Sequence, residues 1–366
     1  MKKSLLALAV LGTVGVAHAQ TAVVIDGSID SAVQYRQQAV GSNTLGLASS
    51  QRNTNYIGIS GTEDIGGGLK GIFQIRTNYG SEAVNNSNAT GVGSTTVGDQ
   101  NVWLGLQGGF GTVKLGRDLT PQFLQVSAYS TFGTGFLNNR SAMNSGSVDA
   151  RWNNTVQYVT PSLSGFGLQV MVAPRNENVA AFGTAGGINF TSASGIANPA
   201  GLGMPVSARA TYGAGPLSAG LAMTRNGSAG PDTVWNLGGS YNFGVATIKA
   251  QYERDNNTRT LGAAGGAALG AQDVKNAWLV AAEGGIPGTA VVLRAQYSKR
   301  NTATLQSPFE KSYGLGADYN LSKRTVAYLY YGKFDLGAAS TTAASTAAGT
   351  ATGSYRDTVL GLRHAF

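Results

Sequence analysis

Cysteine is absent from the 366 residues, so neither a disulfide framework nor a thiolate site for metal binding or nucleophilic attack can be built. Charge is scarce, at 12% of residues, and histidine is limited to His18 and His364. His18 falls in the N-terminal leader, so His364 is the one imidazole expected in the mature chain, and the usual zinc sites and Ser/His catalytic arrangements are not available. Beyond the N-terminus no apolar run reaches about 18 residues, which excludes a helical membrane span. Helices of any kind are disfavoured by the 53 glycines, because glycine costs about 1 kcal/mol relative to alanine inside a helix. An all-β chain rich in turns is left.

What is present begins with a leader. Lys2 and Lys3 precede the apolar run Leu5 to Leu11, and Ala17-His18-Ala19 follows as a small-x-small cleavage site. Residues 1–19 therefore read as a secretory signal peptide and residues 20–366 as the mature chain. A chain sent to an oxidising space without cysteine must draw its stability from elsewhere. An adjacent carboxylate pair, Glu63-Asp64, lies in Gly61-Thr-Glu-Asp-Ile-Gly-Gly-Gly68 and reads as part of a tight turn. The glycine-rich run 261–270 lacks the Lys-Ser/Thr of a phosphate loop and reads as a surface loop. No catalytic residue, cofactor or metal site is expected, and the chain does not read as an enzyme.

Strict alternation of apolar and polar residues recurs along the whole length. In Thr247-Ile-Lys-Ala-Gln-Tyr-Glu253, Ile248, Ala250 and Tyr252 face one way and the polar residues the other. Similar segments at 23–36, 53–61, 69–79, 101–107, 111–117, 150–160, 166–173, 206–213, 217–225, 234–243, 275–283, 289–299, 311–320, 324–334 and 355–366 bring the expected number of strands to sixteen. Connections alternate between short turns and long excursions, the latter near 37–52, 80–100, 118–149, 174–205, 226–233, 254–274, 300–310 and 335–354. That rhythm and an even strand count describe an antiparallel transmembrane β-barrel with short turns on one side and long loops on the other. Tyr35, Phe73, Trp152, Tyr158, Tyr212, Tyr241, Tyr252, Tyr297, Tyr313, Tyr319, Tyr328 and Tyr330 share the parity of the apolar residues, so all twelve are expected to face lipid. About sixteen strands enclose an aqueous channel, whereas about eight would be filled by side chains.

Several segments carry a family likeness. They are Gly61-Thr-Glu-Asp-Ile-Gly-Gly-Gly-Leu69, Gly109-Phe-Gly-Thr-Val-Lys-Leu-Gly-Arg117, Arg151-Trp-Asn-Asn-Thr-Val-Gln-Tyr158, Tyr319-Asn-Leu-Ser-Lys-Arg-Thr325 and the terminal Gly361-Leu-Arg-His-Ala-Phe366. Together they resemble the trimeric general porins of Gram-negative outer membranes, in particular the betaproteobacterial branch. The resemblance implies a sixteen-stranded homotrimer whose third loop, Asp118 to Asp149, folds inward and narrows the channel. Phe123, Leu124, Tyr129, Phe132 and Phe136 would pack that loop against the wall. It also implies Arg117 as a subunit-interface residue and Phe366 as the signal read by the outer-membrane assembly machinery. Outer-membrane lipid, lipopolysaccharide and small anionic or neutral solutes are the implied partners. Nucleic acid is excluded because the basic residues follow strand parity around a closed surface.

Parity also sorts the charges. Arg36, Arg52, Arg76, Lys114, Arg151, Arg209, Lys249, Arg294, Lys333 and Arg363 fall on the polar face, against Asp26, Asp30, Asp149, Glu253 and Asp318. Residues 119–148 contain Arg140 and no acid. A narrow channel lined by one sign of charge concentrates the opposite ion. The expected function is thus passive diffusion of small hydrophilic solutes with a preference for anions, set by Arg36, Arg52, Arg76, Lys114, Arg140 and Arg151. Of the family's wall arginines, Arg151 is matched, while Tyr56 and Gln100 stand where relatives carry arginine. A substrate-specific porin with a saturable site and a non-conducting surface adhesin are the alternative functions.

Overall fold

The computed structural model describes residues 22–38, 42–80, 97–133, 135–137, 143, 150–174, 204–225, 233–256, 275–301, 309–336 and 354–366. The leader, Arg140 and Asp149 lie outside the described residues. Among those described, the strands in chain order are β1 Ala22–Gln38, β2 Thr44–Ser49, β3 Tyr56–Gly66, β4 Leu69–Asn78, β5 Asn101–Gly108, β6 Gly111–Leu119, β7 Arg151–Val159, β8 Phe166–Val172 and β9 Val206–Ala214. They continue as β10 Leu217–Arg225, β11 Thr233–Asn242, β12 Thr247–Asp255, β13 Lys275–Gly285, β14 Val291–Arg300, β15 Phe309–Asn320, β16 Thr325–Leu336 and β17 Tyr355–Ala365. A helix, α1 Pro121–Ala128, follows β6.

From β3 onward each strand pairs antiparallel with the next, and β17 returns to β1 in register from Ser28 opposite Ala365 to Gln38 opposite Tyr355. The sheet is closed. All sixteen expected strands are present, with one short segment besides. Residues 37–52, expected as a single loop, contain β2, which pairs with β1 over Ser31–Arg36. The lower part of β1, Ala22–Ser28, pairs instead with β3. β2 and β3 are therefore two halves of one stave, and seventeen segments make a sixteen-stranded barrel. Closure matters because each backbone N–H or C=O left unpaired in hydrocarbon costs several kcal/mol. No helix among the described residues is long and apolar enough to cross a membrane.

The tight turn expected at Glu63–Gly67 sits further along. β3 runs through Glu63 and Asp64, which face Gly71 and Lys70, and a bulge follows before the two-residue turn Gly67-Gly68. Both glycines have positive φ, +61° and +81°, a conformation glycine adopts without the Cβ clash other residues meet.

Alternation divides the wall into two faces. Leu104, Leu237, Leu315, Leu329 and Leu360 point outward and are exposed, whereas Gln251, Gln296, Ser298 and Ser312 point inward and are buried. An outward band of this kind is what a bilayer solvates and water does not. Three aromatic assignments are corrected. Tyr328, Tyr330 and Trp152 are buried on the inner face. In Tyr328-Leu-Tyr-Tyr331 both parities are apolar, so the pattern has no phase. At Trp152 the backbone of Asn154, with φ +52°, breaks the alternation and turns the indole inward beside Met171 and Ala173. Lys333 is corrected in the other direction: it shares the parity of the outward Leu329 and Tyr331 and bonds Asp335.

Candidate functional site: the lumen and its third loop

The third loop folds inward. β6 ends at Leu119 and Thr120 caps the helix, its side chain accepting the N–H of Phe123 at 3.3 Å, with Pro121 in the first turn. Pro-Gln-Phe-Leu-Gln-Val-Ser-Ala128 holds no charge, and α1 is fastened to the inner wall by amides. Gln125 Nε2 donates to Gly220 O at 2.6 Å, Arg209 Nε donates to Gln125 Oε1 at 3.0 Å, and Gln251 Nε2 donates to Val126 O at 3.1 Å.

Past the helix the chain lies flat against β11 to β16, where β11, β15 and β16 offer glycine beneath its large side chains. A Cβ at Gly238 would fall on the ring of Tyr129, and one at Gly314 on Leu137. At Gly316 it would stand 2.8 Å from Phe132, and at Gly332 2.9 Å from Phe136. The expected packing residues Phe123, Tyr129, Phe132 and Phe136 are all buried. Leu124 is half-buried. Phe132 and Phe136 meet Tyr330 at 5.1 and 5.5 Å between centroids. Ser130 Oγ donates to Gln296 Oε1 at 3.0 Å, Thr131 Oγ1 donates to Glu283 at 2.7 Å, and Arg294 donates to Thr131 O at 2.7 Å.

A second segment enters the barrel where β2 gives way to β3. Ser50 takes φ +58°, and Ser50 to Asn55 leave the wall. The Asp30 carboxylate accepts the backbone N–H of Arg52 and of Asn53, each at 2.7 Å, and the Tyr328 hydroxyl at 2.5 Å. Asn55 Oδ1 in turn accepts the Asp30 N–H at 2.6 Å. Phe136 N–H donates to Gln51 O at 2.5 Å, so the inward segment and the third loop are clasped.

Most interior cations are paired. Arg36 meets Asp357 at 2.8 Å, Arg52 meets Asp318 at 2.8 Å, Arg76 meets Asp26 at 3.1 Å, and Lys114 meets Asp118 at 2.8 Å. Under the third loop, Lys249 meets Glu283 at 2.7 Å, and Arg294 bridges Glu283 and Asp318. Arg300 is buried beside Glu253 and Asp255. The expected excess of ten bases over five acids is thus corrected: Asp118, Asp255, Glu283 and Asp357 also face inward. Asp357 shares the parity of Arg363 and Asp118 that of Lys114, so alternation carried the signal for both.

The pairs are not symmetric toward water. The Arg36 side chain is 33% exposed and its Asp357 partner 3%, and the Arg52 side chain is 21% exposed and its Asp318 partner 1%. Lys114 and Asp118 follow the same order; Arg76 and Asp26 are equally exposed, and Lys249 with Glu283 reverses it.

Of the remaining sequence candidates, Arg151 donates to Asn101 Oδ1 at 3.3 Å, and Asn101 Nδ2 donates to Asp118 at 2.6 Å. Arg117 donates to Asp99 O at 2.8 Å and Asn153 Oδ1 at 2.6 Å, so it braces β7 and the approach to β5 within its own chain. Tyr56 is a platform for Arg76, whose Cζ sits 3.9 Å above the ring. Gln100 is buried. Phe366 exchanges two backbone hydrogen bonds of 3.1 Å with Gly27, and its ring covers that glycine.

A family profile described as Gram-negative porin matches residues 5–339. Outer membrane porin protein 32 of Delftia acidovorans is 31% identical over the whole of both chains, and an outer membrane porin protein of Bordetella pertussis is 27% identical over 69% of each. Among solved structures, the anion-selective porin from Comamonas acidovorans superposes with a TM-score of 0.71 at 27% identity, covering 95% of this chain and 100% of that one. Vibrio cholerae OmpT in its trimer form shares the fold, with a TM-score of 0.60 at 15% identity over 94% and 99% of the two chains.

Proposed function

The chain belongs to the Gram-negative porin family, a multi-pass outer-membrane β-barrel that passes small hydrophilic solutes, and from that premise we propose that its channel prefers anions. One observation carries the reading: at Arg36, Arg52 and Lys114 the cation is on the water side of its ion pair and the carboxylate behind it. A solute in the lumen meets the positive end of each dipole at close range and the negative end only through protein. The difference survives even though the charges nearly balance, because the nearer charge of each pair contributes more than the farther one and the low-dielectric walls focus that net field into the passage. The related porin from Comamonas acidovorans is itself described as anion-selective, which supports the same preference.

Arg36, Arg52, Arg76 and Lys114 line the passage in this reading. Arg151 acts one step back, through Asn101 and Asp118. Catalysis has no part in it. A homotrimer is proposed from the family and from the trimer form of OmpT. Residues 1–19 are proposed as the leader removed on export, and Phe366 as the residue read by the assembly machinery.

Lipopolysaccharide is the proposed lipid neighbour on one arc of the barrel. Trp278, Tyr297 and Tyr313 form a stretch of the aromatic belt on the outer face. Lys299 and Lys311 lie two residues, about 7 Å, beyond Tyr297 and Tyr313 along their strands, and with Lys333, Arg356 and the acid Asp335 opposite Lys311 they make an outward, mostly basic cluster at the end bearing the long loops. Lys299 lies opposite Lys311 and Lys333 opposite Arg356. Like charges directly opposed destabilise a sheet, and phosphate groups at headgroup level offset that repulsion.

Single-channel recording in planar bilayers under a salt gradient tests the channel and its charge. Conductance steps with a reversal potential of the anion-selective sign are expected. A cation-selective sign overturns the charge reading.

A further inference from the structure

We infer that Asp30, buried in the wall and remote from any solute, is the positioning residue that sets the channel's selectivity, because it holds Arg52 in the lumen. The inference rests on Arg52 lining the passage. The continuous wall would run β2 straight into β3, since both lie against β1. It does not, and the six residues between them turn inward instead. Nothing in Ser50-Gln-Arg-Asn-Thr-Asn55 is apolar enough to hold that detour by burial. Its centre, Arg52 and Asn53, is held by one carboxylate. Asp30 is wholly buried, and one of its oxygens, Oδ2, accepts the consecutive N–H groups of Arg52 and Asn53. Its other oxygen takes the Tyr328 hydroxyl. Consecutive backbone donors on one anion are a strong, directional anchor, charge-assisted and shielded from water.

The consequence reaches two places. The Arg52 guanidinium is carried across to Asp318 on β15 with contacts of 2.8 and 3.1 Å, a span no residue in the wall plane of β3 would make. And Gln51 O, immobilised by the same anchor, accepts Phe136 N–H midway along the third loop. A Cβ on Gly135 would meet the Gln51 backbone, so the two segments touch along their main chains. Asp30 therefore fixes one charge of the filter and the resting place of the loop that narrows it.

The test is a set of four variants recorded as full-length trimers in planar bilayers under a salt gradient, each first shown to fold by its heat-modifiable migration. Arg52→Ala should lower the anion-to-cation permeability ratio, and Asp30→Ala should lower it by the same factor. The double variant should fall no further. Asp30→Asn keeps an oxygen for the two N–H groups while removing the charge, and should retain most of the wild-type ratio. If Arg52→Ala changes the ratio and Asp30→Ala does not, the positioning role is overturned. If Asp30→Asn and Asp30→Ala both raise the ratio, the charge of Asp30 itself is at work and the inference also fails. An unchanged ratio in Arg52→Ala removes Arg52 from the filter, which overturns the inference together with its premise while leaving the porin itself untouched.

Discussion

Gly238 is a small residue with a large structural duty, since the Tyr129 ring occupies the space its side chain would take. Gly238→Leu should push Tyr129 and the segment behind it off the wall and into the lumen. Overpacking of this sort costs about 1–3 kcal/mol, so a lower unfolding temperature together with a smaller unit conductance is expected. The same substitution at Gly109, in the short turn between β5 and β6 where a Cβ meets nothing within 4 Å, is the control and should alter neither. Arg151 is informative for the opposite reason. It reaches Asp118 through Asn101, so Arg151→Glu would confront the Asn101 and Asp118 oxygens with a second carboxylate. Selectivity should move toward cations by less than for Arg36→Glu, measured by reversal potential under one salt gradient.

Among the elements, the interrupted stave and the third loop differ most from an idealised barrel. Replacing Asn154 by valine puts a β-branched residue into a left-handed backbone, at about 1–2 kcal/mol; an unfolding temperature lower than that of the parent protein checks this. Strand positions were legible in the sequence because a period of two survives wherever one face is wet and the other lipid-solvated. The sixteen strands follow from that alone. Phase failed where both faces carry apolar groups, as in Tyr328-Leu-Tyr-Tyr331, and where a left-handed residue resets it, as at Asn154. β2 was hidden since Thr44-Leu-Gly-Leu-Ala-Ser49 is short and its partner, β1, settles its fate. The inward turn of Ser50 to Asn55 depends on a carboxylate some twenty residues earlier, and no local pattern records it. Of the filter, the cations were legible from parity, but their burial against Asp357 and Asp318 required the packing of the closed barrel.

For the whole molecule, charge and closure have separate consequences. A preference set by charges at the water surface is screened by salt, with a Debye length of about 10 Å at 0.1 M and about 3 Å at 1 M. The permeability ratio should therefore decline toward unity as both baths are raised to molar salt, while a preference set by pore size would persist. Closure makes the last residue structural: deleting Phe366 removes both hydrogen bonds to Gly27 and uncovers it, so the truncated chain should yield less heat-resistant barrel after refolding in detergent. The seam joins residue 28 to residue 365, nearly the ends of the chain. Every other strand pair forms between close neighbours in sequence, whereas this one must wait until the rest of the sheet has curled far enough to bring its two free edges together. Until that moment β1 and β17 are unpaired edges able to add a foreign strand, and the long separation makes their meeting the slow, exposed step of folding. The barrel is thus most open to a helper, or to misassociation, at the instant before it shuts.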